Sequence, residues 1–277
     1  MITQVERVAD ISDATFRTKY LPAQVPLVIS GCVEHWPARK KWNLDYFTNS
    51  HAEKRLQFSG REWAIGEFAE ALRTGQQPAP YLKEVKLDEQ FTELLPDIST
   101  LRFTETNLLN SRLLPRSMRI DAGIKALFIG GAGSGFGKLH WDYSYLHVYI
   151  SQIRGEKDFV VYAPTDSPML YPDPEYPNKS LIDDFNTFDP LEFPNVAKAT
   201  PIRFTIGEGD TLFIPAGWWH ATRMRGLSIS VAESALNATN WQQRGDWYLE
   251  CYRTAGVPQW KRSALKAYLR AVHPWLD

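Results

Sequence analysis

The chain contains 277 residues, of which 44% are hydrophobic and 13% aromatic, enough to bury a sizeable core. Its formal net charge of −1 gives no strong signal for nucleic-acid binding, and no apolar run approaches the roughly 18 residues of a membrane helix. Cys32 and Cys251 form no C-x-x-C pair, and two isolated thiols behind a start without signal-peptide features predict a reducing, cytoplasmic location.

Residues 1–125 are predicted to form an N-terminal segment that mixes helices with extended stretches and packs on the rest of the chain. A short apolar run closed by glycine predicts a strand over residues 26–31. Residues 65–73 place their apolar side chains on one helical face and precede a glycine, so they predict a helix. Residues 81–85 are expected to be extended, and residues 88–95 to form a helical turn.

Residues 126–235 show the pattern of a β core. Short stretches rich in β-branched and aromatic residues are separated by glycine and proline turns, which is typical of a sandwich or a barrel such as a jelly roll. The predicted strands cover residues 126–129, 147–153, 157–162, 202–206, 211–214 and 227–231. The proline-rich stretch 170–201 is expected to be a surface loop near the barrel mouth.

Residues 236–277 are predicted to be a helical extension, with one helix over residues 240–253 and a last helix that starts at Pro258. The predicted fold class is therefore mainly β with flanking helices, an N-terminal α/β segment on one side and C-terminal helices at the end. The two C-terminal helices carry more large apolar side chains than water would normally contact. We expect them to pack either on their own barrel or on a second copy of the chain.

The most informative motif is the H-x-D pair His140 and Asp142, followed by His220 80 residues after the first histidine. Two imidazoles and one carboxylate on one face suit a non-haem Fe(II) centre with open positions opposite. An H-x-D match alone is weak, because it arises by chance in roughly a third of similar chains. In a strand, residues i and i+2 share a face, so His140 and Asp142 would both point into the barrel.

The histidines also have a simpler interpretation. His140 and His220 could be ordinary packed histidines, and His147 could line the cavity, although a packed or surface position is favoured for it. Lys157 begins an otherwise apolar strand between Glu156 and Asp158. It is either a solvated strand end or a lysine that points inward, which is costly unless an anion pairs with it.

The glycine-rich stretch 130–138 resembles a nucleotide-binding loop in composition, but its sequence does not match the known nucleotide-binding motifs. A Walker A loop needs glycine where Ala132 stands and Ser or Thr where Leu139 stands, and no G-x-G-x-x-G fits. We predict a flexible loop at the barrel rim instead.

In this order, the motifs resemble the cupin-like JmjC 2-oxoglutarate oxygenases, and within them the factor-inhibiting-HIF and small JmjC hydroxylase group. The core motifs are residues 139–142, 152–157, 162–164, 209–215 and 218–220. Residues 26–31, 36–38, 41–42, 81–82 and 94–97 also match that group. The resemblance covers residues 5 to 235, and the ordered combination is far more specific than any one motif.

The resemblance implies a double-stranded β-helix in which His140, Asp142 and His220 hold Fe(II). It further implies that 2-oxoglutarate chelates the metal, that O₂ takes the remaining position, and that Lys157 and Tyr81 meet the distal carboxylate. A charged hydrogen bond of this kind contributes roughly 1.5–3 kcal/mol. The C-terminal helices would form a homodimer, as they do in the factor-inhibiting-HIF group.

The implied reaction is hydroxylation of a C–H bond, with release of succinate and CO₂. The expected substrate is a side chain in a protein or peptide, or a small amino-acid-derived metabolite. N-demethylation shares the first step, but the hydroxylase-like motifs favour hydroxylation. The alternatives are a cupin-type metalloenzyme that needs no 2-oxoglutarate and a non-catalytic peptide-binding module. Lys157 and Tyr81 argue against the first alternative, and the intact metal triad argues against the second.

Three features depart from the family pattern. Gly137 stands where many relatives have Ser or Thr, and residues 232–234 replace a usual Asn or Ser followed by Phe-Trp. Lys157 follows His140 by 17 residues, so we expect the strand between them to be shifted or bulged. These departures concern the co-substrate and substrate contacts and leave the metal ligands intact.

Overall fold

The computed structural model describes residues 2–121 and 124–276, and β-strands form the centre of the molecule. The strands are β1 (Glu6–Val8), β2 (Leu27–Ser30), β3 (Arg55–Phe58), β4 (Arg61–Ala64), β5 (Tyr81–Lys86), β6 (Lys125–Gly130), β7 (His147–Arg154), β8 (Lys157–Tyr162), β9 (Ile202–Ile206), β10 (Asp210–Ile214), β11 (Trp219–Met224) and β12 (Ser228–Ala235). The α-helices are α1 (Asp13–Thr15), α2 (Leu21–Ala23), α3 (Ala38–Lys41), α4 (Leu44–His51), α5 (Ile65–Arg73), α6 (Leu87–Gln90), α7 (Ala238–Thr254) and α8 (Gln259–Val272).

Two sheets face each other across the core. The large sheet has the order β1-β2-β10-β7-β12-β6-β5, and the small sheet has the order β11-β8-β9. All neighbours in both sheets are antiparallel except β1 and β2. Side chains from both sheets, among them Val148, Phe159, Val161 and Leu212, form one apolar cluster between them. The prediction of a mainly β, jelly-roll fold with flanking helices is confirmed.

Alternation along the strands separates the inside of the barrel from its outer layers. On β7, Tyr149 and Ile153 pack with the N-terminal helices, whereas Val148 and Ile150 point between the sheets. On β8, Val160 packs on the outer side of the small sheet. Because side chains of a strand point alternately to its two faces, each sheet buries one face in the barrel and the other under a covering layer.

Two parts of the β core differ from the prediction. β11 was not among the predicted strands, because residues 218–222 show no apolar alternation, yet it pairs with β8 over its whole length. The stretch 170–201 is more than a surface loop, since Leu170, Ile182 and Phe185 are buried and cover the outer face of the small sheet. The burial of this stretch was not predicted, because its apolar residues are spaced too irregularly among the prolines to form a periodic pattern.

The C-terminal helices form as predicted, and Pro258 is the N-cap of α8. Trp241 of α7 and Leu269 of α8 are buried in a cluster with Leu109 and Met118. Cys32 and Cys251 are free thiols, as expected. Within the described ranges, no helix has the length and hydropathy needed to cross a membrane.

Candidate metal centre

Two histidines lie opposite each other where the segment before β7 meets β11. His140 and His220 form an isolated antiparallel bridge in which each backbone N–H donates to the carbonyl of the other, at 3.1 Å and 2.7 Å. Directly opposed residues in such a pair project to the same side, and the two ring centroids lie 4.4 Å apart.

The other hydrogen bonds of these rings determine which nitrogen is free. Nδ1 of His140 lies 3.0 Å from the carbonyl oxygen of Lys138. Nδ1 of His220 lies 3.2 Å from the carbonyl oxygen of Trp218. Because a carbonyl only accepts, each Nδ1 carries the proton and each Nε2 keeps its lone pair. Metal-binding histidines are commonly oriented by a second hydrogen bond of this kind.

Asp142 completes a set of three ligands. Its Oδ2 lies 3.8 Å from Nε2 of His220, and one potential ligand atom from each of His140, Asp142 and His220 lies within 4.8 Å of the other two. No second cluster of three or more His, Cys, Asp or Glu side chains with this spacing occurs in residues 2–121 and 124–276. The arrangement matches the two-histidine, one-carboxylate facial set of non-haem Fe(II) sites.

The prediction that His140 and Asp142 belong to one strand is wrong. His140 makes only isolated bridges, and Asp142 precedes a 3-10 turn, Tyr143–Tyr145. Ser144 and Tyr145 have φ values of 59° and 54° in this turn, so the chain bends away before pairing can continue. The backbone of Asp142 itself is extended, which keeps its side chain on the side of His140.

Burial shifts the acid–base equilibria of all three groups toward their neutral forms. It lowers the pKa of His140 and of His220 to about 4, and raises the pKa of Asp142 to about 6. The histidines are therefore neutral near pH 7, as metal binding requires. A divalent cation would compensate the charge of the partly buried Asp142 carboxylate, whose side chain is 30% exposed.

A cavity extends from the triad into the barrel, and Lys157 lies in its wall. Lys157 shares the inward face of β8 with Phe159 and Val161, and only 3% of it is exposed. Its Nζ donates to Ser230 Oγ at 2.7 Å, and no acidic side chain pairs with it in the described part of the chain. Burial lowers the pKa of Lys157 to about 7. Lys157 is therefore not a solvated strand end.

The strand that precedes Lys157 is bulged, as expected from the long spacing after the H-x-D motif. Opposite Ile229 and Ser230 of β12, β7 contains one extra residue, Ile153. A bulge of this kind shifts the register and re-aims the side chains that follow it.

Tyr81 lies in the wall of the same cavity, at the start of β5. It is 8% exposed, and its ring stands edge-on to that of Phe136, with centroids 5.8 Å apart. Burial raises the pKa of Tyr81, so its hydroxyl keeps its proton. That hydroxyl has no hydrogen-bond partner among the residues that the structure describes, and it is free to donate to a ligand.

Thr222 is a cavity residue that the sequence analysis missed. It follows His220 by two positions on β11, and its Oγ1 accepts from the backbone N–H of Phe136 at 3.1 Å. Strand alternation would have found it if β11 had been predicted. His147, in contrast, is a packed residue as favoured above: it is fully buried, and its Nδ1 accepts from the N–H of Ala216.

Glu84 is a second missed residue, and it lies at the entrance. It occupies the bulge of β5 between Leu82 and Val85 with φ 55°, a left-handed conformation that side chains other than glycine rarely adopt. Its side chain lines both the inner cavity and an outer mouth formed with Lys83 and Tyr143. In the described ranges, its carboxylate has no hydrogen bond and no ion pair. No sequence pattern indicates a left-handed glutamate, so this residue was not predictable.

The glycine-rich stretch lies at the rim of the cavity, as predicted, where hydrogen bonds hold it against β11; its flexibility stays a prediction. Thr222 N–H donates to the Phe136 carbonyl and Met224 N–H to the Ser134 carbonyl, both at 2.8 Å. A Cβ at Gly135 would lie 2.2 Å from the Thr222 carbonyl oxygen. Glycine is required there because the two backbones approach so closely.

Comparison with known proteins identifies a family and several relatives. The cupin-like domain family matches residues 13–239. Lysine-specific demethylase 8 of Xenopus tropicalis is 30% identical over 230 residues, which are 78% of this chain and 49% of that protein. Jumonji C domain-containing protein 5 of Drosophila melanogaster is 28% identical over 235 residues, 78% of this chain and 56% of that protein.

A lysine-specific demethylase of Arabidopsis thaliana is 29% identical over 253 residues, 83% of this chain and 54% of that protein. The chain thus spans about half the length of these curated relatives. The expected closeness to the factor-inhibiting-HIF group stays a prediction. Because the family match covers most of the chain and contains the whole H-x-D…H set, the chain belongs to the cupin-like domain family.

Proposed function

We propose that the chain is an Fe(II)- and 2-oxoglutarate-dependent dioxygenase that oxidises a C–H bond of its substrate. The observation that carries this proposal is the position of Lys157, a buried lysine in the wall of the cavity that also contains the metal triad. No acidic side chain among the described residues pairs with it. A buried lysine without a counter-charge is costly, and a dicarboxylate that reaches from the metal to Lys157 would supply that charge.

The residues present fit both groups. His140 and His220 offer Nε2, and Asp142 offers a carboxylate oxygen on the same side. At the other end, Lys157 and the hydroxyl of Tyr81, which has no hydrogen-bond partner in the described ranges, would bind the distal carboxylate, one as a charged donor and one as a neutral donor.

When bound, Fe(II) and 2-oxoglutarate supply the oxidation: R–H, O₂ and 2-oxoglutarate give R–OH, succinate and CO₂. His140, Asp142 and His220 would hold the metal in the wall of the cavity, and His140 and Asp142 also line the outer mouth through which a substrate would approach. The rings of Phe136 and Tyr81 contact each other in the wall of the cavity, where they would limit the access of water to a bound substrate.

The direct test is the consumption of 2-oxoglutarate by purified protein. We expect succinate to form only when Fe(II) is added, slowly even without substrate. An enzyme that binds the metal but neither binds nor consumes 2-oxoglutarate would instead be a cupin-type metalloenzyme of another reaction class. A chain that binds neither would be the non-catalytic peptide-binding module.

For the substrate, we propose a side chain in a protein or peptide, or a small amino-acid-derived metabolite, that carries a positive charge. Glu84 places a carboxylate that has no ion pair in residues 2–121 and 124–276 between the mouth and the triad, where it would attract an ammonium or guanidinium group. Hydroxylation is our first candidate. Demethylation is the second, because two of the relatives named above are lysine-specific demethylases.

Mass spectrometry of cationic peptides and metabolites incubated with Fe(II) and 2-oxoglutarate separates the two reactions. Hydroxylation adds one oxygen atom to the product. Demethylation removes a methyl group and releases formaldehyde.

A further inference from the structure

The first helix after the barrel contacts the three residues that follow Asp142. Asn240, Arg244 and Trp247 lie at positions i, i+4 and i+7 of α7, on one face of that helix. They contact Tyr145, Ser144 and Tyr143 respectively, in reverse chain order.

Two of these contacts are hydrogen bonds. The fully buried amide of Asn240 donates from Nδ2 to the carbonyl oxygen of Tyr145 at 2.9 Å. Arg244 donates from one guanidinium nitrogen to Ser144 Oγ at 2.5 Å, and from the other to the carbonyl oxygen of Met118 at 2.7 Å. The third contact is aromatic, with the ring of Trp247 perpendicular to that of Tyr143 at a centroid distance of 4.3 Å.

Arg244 is an unusual residue for a helix that only covers a barrel. It is completely buried, it has no acidic partner among the described residues, and its Nε makes no hydrogen bond. A buried charge with incomplete hydrogen bonding is unfavourable, and it is retained where its position has a use.

The turn that Arg244 and Asn240 hold is itself unfavourable. Ser144 and Tyr145 are consecutive residues other than glycine in the left-handed region. Such residues persist only where the surrounding structure fixes them, and they cluster at functional sites. The turn joins Asp142 directly to β7, so its conformation determines where the carboxylate of Asp142 points.

We infer that α7 is part of the metal centre, and that Arg244 and Asn240 are positioning residues that hold Asp142 toward His140 and His220 through the left-handed turn. The inference rests on the proposed metal site. It implies that the C-terminal helix determines metal affinity, although none of its residues is a ligand.

The test uses Ser144, because removal of the buried Arg244 could prevent folding. Ser144→Ala removes the hydroxyl that Arg244 binds and keeps the Cβ that makes φ 59° unfavourable. Ser144→Gly also removes the hydroxyl, but glycine adopts this conformation without strain. Ser117→Ala is the control, since Ser117 shares a 2.6 Å hydrogen bond with Tyr252 of α7 outside the metal site.

Co(II) is titrated into the full-length apo-protein and followed by its d–d absorption, together with the Tm of each apo-variant. We expect Ser144→Ala to weaken Co(II) binding about tenfold, the lower end of the effect of removing a contact that orients a metal ligand. Ser144→Gly should lose less affinity than Ser144→Ala, and Ser117→Ala should match the wild type. A purely structural role would lower the apo Tm of Ser144→Ala and leave its Co(II) affinity at the wild-type value, which would overturn the inference.

The result also separates this inference from the proposed function. If the wild type shows no His140-dependent Co(II) binding, the metal centre itself is refuted. If the wild type binds Co(II) and Ser144→Ala binds it equally well, only the role of α7 is refuted.

Discussion

Lys157 Nζ lies 2.7 Å from Ser230 Oγ at the inner end of the metal cavity, and this hydroxyl is its only hydrogen-bond partner in the described part of the chain. One neutral acceptor satisfies one of the three ammonium protons. The other two ammonium protons of Lys157 are available to an anion. Substitution of Lys157 therefore tests directly whether 2-oxoglutarate is the co-substrate.

We expect Lys157→Met to weaken the binding of 2-oxoglutarate by the metal-loaded protein about 10- to 100-fold. The expected factor follows from the roughly 1.5–3 kcal/mol of a charged hydrogen bond. Isothermal titration of the Mn(II)-loaded protein measures the affinity, and metal binding should remain largely intact. Tyr81→Phe should have a smaller effect in the same direction, because it removes one neutral donor and no charge. Unchanged affinity in Lys157→Met would show that 2-oxoglutarate does not contact this lysine.

The binding of 2-oxoglutarate should also depend on pH. The pKa of Lys157 is lowered to about 7 by burial, and only the protonated form attracts a carboxylate. Affinity is therefore full below pH 7 and declines as the pH rises through 7, about tenfold between pH 6 and pH 8.

The other ionisable side chains of this cavity are Tyr81, Glu84, Asp142 and the two histidines. Saturation with Mn(II) during the titration keeps the three ligands deprotonated. The matched control is Lys157→Met. This variant should bind 2-oxoglutarate more weakly, and its affinity should not decline as the pH rises through 7. The same slope in that variant would assign the pH dependence to another group.

Loss of a metal ligand should abolish turnover. His140→Ala and Asp142→Ala each remove one of three protein ligands, so we expect no Fe(II)-dependent formation of succinate from either variant. His147→Asn is the control, because His147 is a buried histidine outside the triad. Full activity in a His140→Ala, Asp142→Ala double variant would refute the metal assignment.

Strand periodicity made part of this site predictable. Lys157, Phe159 and Val161 alternate with outward residues on β8, so an inward lysine was one of two interpretations that the sequence left open. The burial of the residue decided between them. In β12 the same alternation holds, and the predicted strand begins within one residue of the observed one.

The parts that were not predictable depend on tertiary contacts. His140 and Asp142 were expected in a strand, but the left-handed turn at Ser144, held by Arg244 from α7, ends the pairing. Such a contact joins residues 100 positions apart, and no local pattern encodes it. Glu84 is comparable, because its left-handed conformation depends on how β5 pairs with β6.

The charge of Glu84 should determine preference for cationic substrates. We expect Glu84→Gln to lower kcat/KM for a cationic substrate about tenfold, with little change in substrate-free consumption of 2-oxoglutarate. This factor corresponds to roughly 1.4 kcal/mol, typical of one charged contact. Glu89→Gln is the matched control, since Glu89 pairs with Lys86 outside the mouth. An equal loss for neutral and cationic substrates would exclude charge recognition by Glu84.

The C-terminal helices bury one face and leave another in water. Trp241 and Leu269 pack within the chain and are 1% and 2% exposed, respectively. In contrast, Trp260 is 68% exposed, Tyr268 is 42% exposed and Trp275 is 81% exposed. Packing on the barrel of the same chain therefore covers part of the apolar surface of these helices and leaves these three large side chains exposed.

We predict that the exposed face of α8 forms a two-fold homodimer, because a self-complementary contact would cover these aromatic side chains twice. Light scattering at micromolar concentration should give roughly twice the 31.7 kDa of the chain. Trp260→Lys combined with Tyr268→Lys should give a folded monomer, whereas truncation after Leu236 should leave a monomer or an insoluble chain. Leu191→Lys, at a side chain that is 90% exposed outside these helices, is the control and should remain dimeric. If the full-length protein stays monomeric at high concentration, the dimer is excluded, and the helices act only within their own chain, on the barrel and on the turn beside Asp142.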